Sequence, residues 1–409
     1  MCASVSVPVE PSSSHEHPLR NAGYRRWLVG NAISLLGDQF TMVALPWLVL
    51  QHLGSARMLG MVMMAGAVPR AVLLLVGGAA ADRTSARLIM VTMAATRAAC
   101  VAAIGVLLWC GSLSTWEIYG LVVVFGIADA FAMPAHSAYV PSLLKREQLV
   151  VGSSLGQVSA QLAVIVGPLA AGLAIAALGI ASAFFVDAVS FLFVIGALLR
   201  LPDPPRAASH ASRLAALGEG ITHVLRDVPL RTILLLATAM NFCISGPVAI
   251  GVAELAKSRF HSASAYGIVL SAVAVGQLGG ALSGSVWKIR RCGALILGGG
   301  AWLGMCLMGV PFARGVSSVA AVLLLMGATA SLVNVHIGAW VMARIDPAVR
   351  GRVASVLMLA SLGAIPVSMA VAGFIVLWSP TWLFVLAGVT LMIVGAGAAA
   401  IRSVRDIGQ

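Results

Sequence analysis

The stretch WLVGNAISLLGDQFTMVALPWLVL, from Trp27 to Leu50, contains a single charged residue, Asp38. An α-helix rises 1.5 Å per residue, so about 20 apolar residues cross the hydrocarbon core of a membrane. The stretch therefore predicts a transmembrane helix. An ionised carboxylate at that depth costs at least about 2.5 kcal/mol. Asp38 must therefore have a function or a partner that offsets this cost.

The rest of the chain has the same apolar character. Of its 409 residues, 60% are hydrophobic and 10% are charged, whereas soluble domains are about a quarter charged. We predict an all-α polytopic membrane protein with twelve transmembrane helices. Their spans lie near residues 27–50, 59–81, 88–110, 115–135, 150–177, 181–200, 231–255, 264–287, 293–312, 317–342, 353–377 and 381–401.

The formal net charge of +12 is distributed unevenly along these spans. Of the 26 Lys and Arg residues, twenty fall in the tails and the even-numbered loops. Four fall in odd-numbered loops and two within spans, and these six are Arg57, Lys257, Arg259, Arg314, Arg70 and Arg97. By the positive-inside rule both termini face the cytoplasm. We expect a multi-pass protein of the plasma (inner) membrane. The basic charge is a topology signal, so no nucleic-acid partner is expected.

The longest polar interruption, residues 201–230, divides the spans into two sets of six. Its apolar residues Leu214, Leu217, Ile221 and Leu225 recur at helical spacing, which predicts a short amphipathic helix at the inner membrane surface. We expect five parts. These are a flexible cytoplasmic tail (1–22), two pseudo-symmetric six-helix bundles (23–200 and 231–402), the linker between them (201–230), and a cytoplasmic C-terminal tail (403–409). Paired halves with a binding site at their interface are typical of secondary transporters.

The loop after span 2 reads GAAADRTSAR, from Gly78 to Arg87. A glycine lets helices approach, an aspartate accepts hydrogen bonds from a neighbouring helix start, and arginines hold the cytoplasmic side shut. The alternative is an ordinary basic loop. The pattern resembles the Gly-x-x-x-Asp-Arg-x-Gly-Arg-Arg motif of the major facilitator superfamily, with Ser85 and Ala86 as departures. The resemblance implies transport by alternating access and an inner gate formed by Gly78, Asp82, Arg83, Arg87, Arg350 and Arg352.

Span 5 contains IVGPLAAGLA, in which Gly167-Pro168 is followed by Gly172. This pattern resembles the antiporter motif of exporters in that superfamily, and generic membrane packing is the alternative. Small residues let helices pack closely, and proline lets a helix bend. Longer strings, such as FFVDAVSFLF in span 6, resemble the exporter branch that includes macrolide efflux proteins and the enterobactin exporter. This resemblance covers about residues 22–405 and implies export.

Four charged residues well inside their spans occupy the inner half to the middle of the first six-helix bundle. Counted from the span ends, Asp38 lies about 18 Å deep, Arg70 about 16 Å, Arg97 about 14 Å and Asp129 about 9 Å. We predict that Asp38 and Asp129 carry protons and that Arg70 and Arg97 are their counter-ions, because a carboxylate that loses its partner is pushed towards the neutral state. The alternative is static pairing, Asp38–Arg70 or Asp129–Arg97. Asp187 in span 6 is interpreted as structural.

The resemblance places helices 1, 4, 7 and 10 around a central cavity. The predicted cavity residues are Gln39, Met240, Asn241, Phe242, Asn334, His336 and Trp340. They suggest an apolar wall for a small amphiphilic substrate, such as a drug, a macrolide or a siderophore-like compound. The cysteines have no metal-binding spacing, so neither a metal nor a cofactor is expected. We expect a monomer that uses protons. A lipid or lysophospholipid flippase on the same fold and a polytopic membrane enzyme are the alternatives.

Overall fold

The computed structural model describes residues 17–203, 213–287, 291–346 and 349–401. In these ranges, twelve helices are long and apolar enough to cross a membrane. The prediction of an all-α polytopic membrane protein is confirmed. The helices of the first half are α1 (Ala22–His52), α2 (Ala56–Arg83), α3 (Ala86–Trp109), α4 (Thr115–Ser142), α5 (Leu149–Leu178) and α6 (Ile180–Leu199).

A short helix, α7 (Arg213–Arg226), lies between the halves where the sequence predicts one, and residues 204–212 before it lie outside the described residues. The seventh span is α8 (Val228–Gly246), which continues through two π-helical turns around the short α9 (Val252–Leu255) to Phe260. The remaining helices are α10 (Ala263–Val286), α11 (Cys292–Gly309), α12 (Val316–Arg344), α13 (Arg350–Ile375) and α14 (Pro380–Ala399).

Most helix ends lie within a few residues of the predicted spans, and α4 is the clearest exception. It continues seven residues past the predicted end at 135, to Ser142. The polar residues His136 and Ser137 end the apolar run, but they face an internal cavity rather than lipid. A cavity that admits water tolerates polar side chains, so the helix extends beyond its hydrophobic pattern.

The two halves use the same kind of close helix packing. In the first half α2 packs on α4, where a Cβ on Gly126 would overlap the carbonyl of Gly66. In the second half α10 packs on α12, where Cβ atoms on Gly276 and Gly280 would overlap backbone carbonyls of α12. Such approaches require glycine, because every other residue carries a Cβ atom. The second and fourth spans of each half are therefore joined by backbone contact.

The halves meet along two helix pairs, α5 with α10 and α2 with α13. We call the end where α1 begins and α14 ends the inner end, and the opposite end the outer end. A Cβ on Gly60 would lie 2.8 Å from the Cα of Gly373, close to the outer end of both helices. Lys257 also donates to the carbonyl of Leu50 there. The halves are thus held together at the outer end.

Candidate functional site

A cavity of about 940 Å³ lies between α1, α2, α3, α4, α6 and α13. Asn31, Ser137 and Arg352 lie towards its inner end, whereas Asp38 lies deeper, near the middle of α1. Most of the remaining wall is apolar and comes from residues such as Met358 of α13. The cavity therefore combines an apolar wall with a few localised charges.

Three charged residues of the wall, Asp38, Arg97 and Asp129, form one connected cluster with Arg70, which does not line this cavity. Nη2 of Arg97 lies 2.5 Å from Oδ1 of Asp38, and its Nη1 lies 3.7 Å from Oδ1 of Asp129. Nη1 of Arg70 lies 3.2 Å from Oδ2 of the same Asp129 carboxylate. The structure thus brings together all four charged residues that the sequence singles out. Two acids and two bases balance formally, which makes their burial tolerable.

Arg97 occupies the centre of this cluster. Its guanidinium carbon lies 4.7 Å from the ring centre of Phe125 on α4 and 4.6 Å from that of Phe191 on α6. A planar guanidinium stacks on aromatic faces and still presents its N–H groups in a fork. The two rings therefore hold Arg97 in an orientation in which it reaches both acids at once.

The pairing agrees only in part with the pairs considered from the sequence, because the Asp129–Arg97 pair is present at 3.7 Å. Asp38 pairs with Arg97, and the Asp38–Arg70 pair is not formed. The estimated depths put both arginines within reach, but depth does not tell which face of a helix a residue occupies. Arg70 lies on α2, which packs on α4, so its side chain meets Asp129.

Asp187 of α6 is a third acid close to the cluster, but it does not line the cavity. Its side chain is fully buried, and its Oδ2 accepts a hydrogen bond of 2.6 Å from Thr41, three residues after Asp38. The Ser190 hydroxyl donates to its backbone carbonyl at 2.7 Å. These contacts tie α6 to α1, and a structural role for Asp187 stays our prediction.

The predicted inner-gate residues lie in different settings. Arg87 donates from Nε and Nη2 to the carbonyls of Leu198 and Leu199, at 2.7 and 2.8 Å, and so caps the C-terminus of α6. Arg352 lines the inner end of the cavity. Gly78 lies in the last turns of α2, and Arg83 ends that helix with an exposed side chain. The side chains of Asp82 and Arg350 lie outside the described part of the structure.

The three residues of the predicted antiporter motif lie where α5 meets the second half and α1. A Cβ on Gly172 would lie 2.7 Å from the carbonyl oxygen of Ala263, and a Cβ on Gly267 would overlap the carbonyl of Pro168. Gly167 faces the side chain of Gln39 on α1. The motif thus permits backbone-to-backbone contact between α5 and α10.

None of the seven predicted cavity residues lines this cavity. Gln39 faces α5, the amide of Asn241 bonds to the carbonyl of Ala237 on its own helix, and Asn334 is exposed. The buried ring of His336 lies 2.9 Å from the carbonyl oxygen of Leu332 and 3.1 Å from that of Trp287. The other three, each half-buried, are Met240, Phe242 and Trp340.

The sequence prediction singled out Arg97 of α3 and Arg352 of α13 but missed the rest of the wall that α3, α6 and α13 supply. These helices supply Met90, Phe191, Ser355, Met358 and Leu359 to the wall. Among the missed residues, Ser355 is polar within the eleventh span, and this polarity is a signal that could have pointed to the wall. The apolar residues carry no such signal, because residues that face lipid and residues that face this cavity are equally hydrophobic.

The sequence matches the family described as transmembrane secretion effectors over residues 13–406. It is 34% identical to the multidrug efflux pump Tap of Mycolicibacterium fortuitum over 48% of this chain and 51% of that protein. It is 28% identical to macrolide efflux protein A of Streptococcus pyogenes over 43% and 42% of the two chains. The matched part thus spans about half the length of these relatives or less.

The fold also resembles solved structures. The crystal structure of the nucleoside transporter NupG superimposes with a TM-score of 0.73 over 93% of this chain and 98% of that chain. The sequence identity is 11%, so this likeness concerns the fold alone. The prediction of twelve helices in the arrangement of that transporter fold is confirmed.

Proposed function

The chain belongs to the transmembrane secretion effector family of the major facilitator superfamily, and on this basis we propose that it exports a small amphiphilic compound in exchange for protons. It is a multi-pass membrane transporter and not an enzyme. The observation that carries the proposal is the cavity of about 940 Å³ whose apolar wall holds the Asp38–Arg97–Asp129 cluster. Pockets for drug-sized ligands have volumes of about 300 to 1,000 Å³.

The substrate class is inferred from the cavity and from the named relatives. An apolar wall suits the hydrophobic part of an amphiphile, and the cluster offers hydrogen bonds for its polar part. Met90, Met133 and Met358 add flexible side chains that adapt to different shapes. The relatives carry the names of drug and macrolide efflux proteins, which favours export of a drug-like compound over import.

Proton coupling is inferred from the geometry of the cluster. In this conformation Asp38 is paired with Arg97, and such pairing favours the ionised carboxylate. If α1 and α3 shift and separate the pair, burial favours the neutral acid, which then takes up a proton. Asp129 keeps a second partner, Arg70, so we assign the larger proton-carrying role to Asp38.

The asymmetry between the two ends supports the proposal of alternating access. The α5–α10 and α2–α13 contacts hold the outer end together, while the cavity reaches residues at the inner end. An outward-open state requires these glycine contacts to separate and the inner end to close. We propose that Gly78, Asp82, Arg83, Arg87, Arg350 and Arg352 form the inner closure, on the cytoplasmic side of the plasma membrane.

The experiment is a substrate-accumulation assay in cells that express the protein. A panel of fluorescent lipophilic drugs and macrolides is loaded, and retention is compared between wild type, Asp38→Asn and cells without the protein. We expect wild type to lower retention of at least one compound severalfold and a protonophore to abolish this effect. The Asp38→Asn variant should behave like cells without the protein. Unchanged retention of every compound in wild type would contradict the proposal.

A further inference from the structure

A groove on the outside of the bundle runs along α1 and α6. Its lower part has a volume of about 470 Å³ and begins at the inner end among Arg25, Arg26 and Arg200. Its upper part has a volume of about 370 Å³ and an almost wholly apolar lining. Ile33 and Phe193 line both parts, so the two form one continuous groove. The groove is separate from the cavity described above, because neither its three arginines nor Ile33 and Phe193 line that cavity.

We propose that this groove binds one anionic phospholipid of the inner leaflet. The phosphate would lie among the three arginines, and one acyl chain would lie between α1 and α6. Arg26 and Arg200 are exposed, and neither has an ion-pair partner among the described residues. The residues that line the groove include no acid. Basic clusters of this kind next to membrane helices attract anionic headgroups.

The dimensions of the groove fit an acyl chain. From Arg26 to Leu36 the ten residues of α1 rise about 15 Å, which is half the roughly 30 Å thickness of the hydrocarbon core. Exposed apolar side chains form the walls, among them Val29, Leu192 and Val189. A chain that starts at the arginines would therefore end close to the bilayer midplane.

Gly196 gives the groove its depth. It lines the lower part, and a Cβ built on it meets nothing within 4 Å. A larger side chain at this position therefore fills the groove without disturbing the α1–α6 packing. Gly30 of α1 lies on the other side of the groove and packs against the backbone of α6. The two helices are therefore closely spaced, and together they form the floor of the groove.

A second copy of this chain fits the groove less well. A symmetric contact through this face would bring both sets of three arginines together without an acid between them. Like charges at such a distance repel, and an interface of this kind needs compensating groups. A lipid phosphate supplies the missing negative charge directly.

The test measures lipid binding to the purified, delipidated full chain. Wild type is titrated with phosphatidylglycerol and with phosphatidylcholine of the same acyl chains, and bound lipid is counted by native mass spectrometry. We expect one phosphatidylglycerol to bind at least tenfold more tightly than phosphatidylcholine. The double variant Arg26→Gln/Arg200→Gln and the groove-filling Gly196→Leu should each lose at least tenfold in affinity. Glycerol phosphate without acyl chains should not compete.

Two control variants match these changes outside the groove. Arg146→Gln removes an exposed arginine at the inner end, and Gly395→Leu adds a side chain where a Cβ on α14 meets nothing within 4 Å. Both should bind phosphatidylglycerol like wild type. Equal binding of the two lipids by wild type would overturn the proposal, and so would groove variants that bind like the controls. Neither result bears on the proposed transport function, because the groove and the cavity are separate.

Discussion

At the scale of single residues, Arg97 is the side chain that contacts both cavity acids. Its side chain is 14% exposed and contacts Asp38 and Asp129 from one guanidinium group. Asp129 has Arg70 as a second partner, whereas Asp38 depends on Arg97 among the described residues. In the proposed mechanism, the protonation of Asp38 therefore depends on one contact, which a small movement of α1 against α3 makes or breaks.

Replacing Arg97 separates the effect of its charge from the effect of its shape. Arg97→Lys keeps the charge but loses the planar fork, so it cannot reach both acids in the same way. We expect a folded protein in which substrate-driven proton exchange falls at least tenfold. Arg97→Ala removes the charged partner of Asp38, whereas Asp129 keeps Arg70. It should lower stability by about 3 kcal/mol, read as a fall in the thermal unfolding temperature. Wild-type exchange in Arg97→Lys would contradict this role.

Asp187→Asn is the matched test of the structural role of Asp187. An asparagine keeps an oxygen that accepts from the Thr41 hydroxyl, so the α1–α6 contact at 2.6 Å is preserved. We expect proton exchange to stay within twofold of wild type and stability to change by about 1 kcal/mol. Proton movement in liposomes and thermal unfolding measure the two quantities. Complete loss of exchange in a stable variant would place Asp187 in the proton pathway.

At the scale of helices, glycines set the contacts between the halves. Gly267 of α10 lies so close to α5 that a Cβ would overlap the Pro168 carbonyl. The two backbones cannot keep this distance with any larger residue. A glycine-to-alanine substitution, which adds one methyl group, therefore changes the packing of α5 on α10 without altering any charge.

A methyl group at Gly267 should weaken the closed outer end. Gly267→Ala forces α5 and α10 apart, so we expect a loss of stability of about 1–3 kcal/mol and slower transport. Gly279→Ala is the control on the same helix, since a Cβ there meets nothing within 4 Å. Because alanine is the better helix former, the control should be neutral or slightly stabilising. The thermal unfolding temperatures of Gly267→Ala and Gly279→Ala are measured side by side. Equal temperatures would contradict the prediction that the methyl group at Gly267 weakens the packing.

The helices of this chain are predictable from its sequence, whereas the lining of its cavity is not. Runs of about 20 apolar residues define the spans because the membrane requires that length. The charged residues were also found, since charge within such a run stands out. The cavity wall was missed because apolar side chains such as Met358 look the same whether they face lipid or the cavity. Asn334 gives the opposite error, because its polarity on a predicted cavity helix suggested a cavity residue, whereas it lies outside this cavity.

At the scale of the whole molecule, the asymmetry between the ends defines the conformation. Direct contacts between the halves extend from the middle of α5 and α10, where Gln161 donates to the carbonyl of Ala274, to the outer end. The outer-end contacts include Lys257 with Leu50 and the Arg57 guanidinium over the Phe374 ring at 5.0 Å. The cavity is lined instead by residues nearer the inner end. With both termini in the cytoplasm, as we predict, this conformation exposes the cavity to the cytoplasm and so to a substrate awaiting export.

A native cysteine tests this orientation. Cys110 follows α3 at the outer end and is exposed, whereas Cys100, Cys243 and Cys306 are buried. A membrane-impermeant maleimide should therefore label wild type in intact cells and fail to label Cys110→Ser. In the opposite orientation Cys110 would lie inside, and Cys2 of the N-terminal tail and Cys292 at the inner end of α11 would lie outside. Labelling of Cys110→Ser in intact cells at the wild-type level would therefore contradict the predicted orientation.

The measurement that tests the central claim most directly is substrate-driven proton movement in proteoliposomes that enclose a pH-sensitive dye. Wild type, Asp38→Asn and Asp187→Asn are compared with a compound that the accumulation assay identifies as a substrate. Proton-coupled export predicts a substrate-dependent pH change in wild type and Asp187→Asn and none in Asp38→Asn. A pH change that persists unaltered in Asp38→Asn would contradict the account, because the Asp38–Arg97 pair would then be a fixed structural contact.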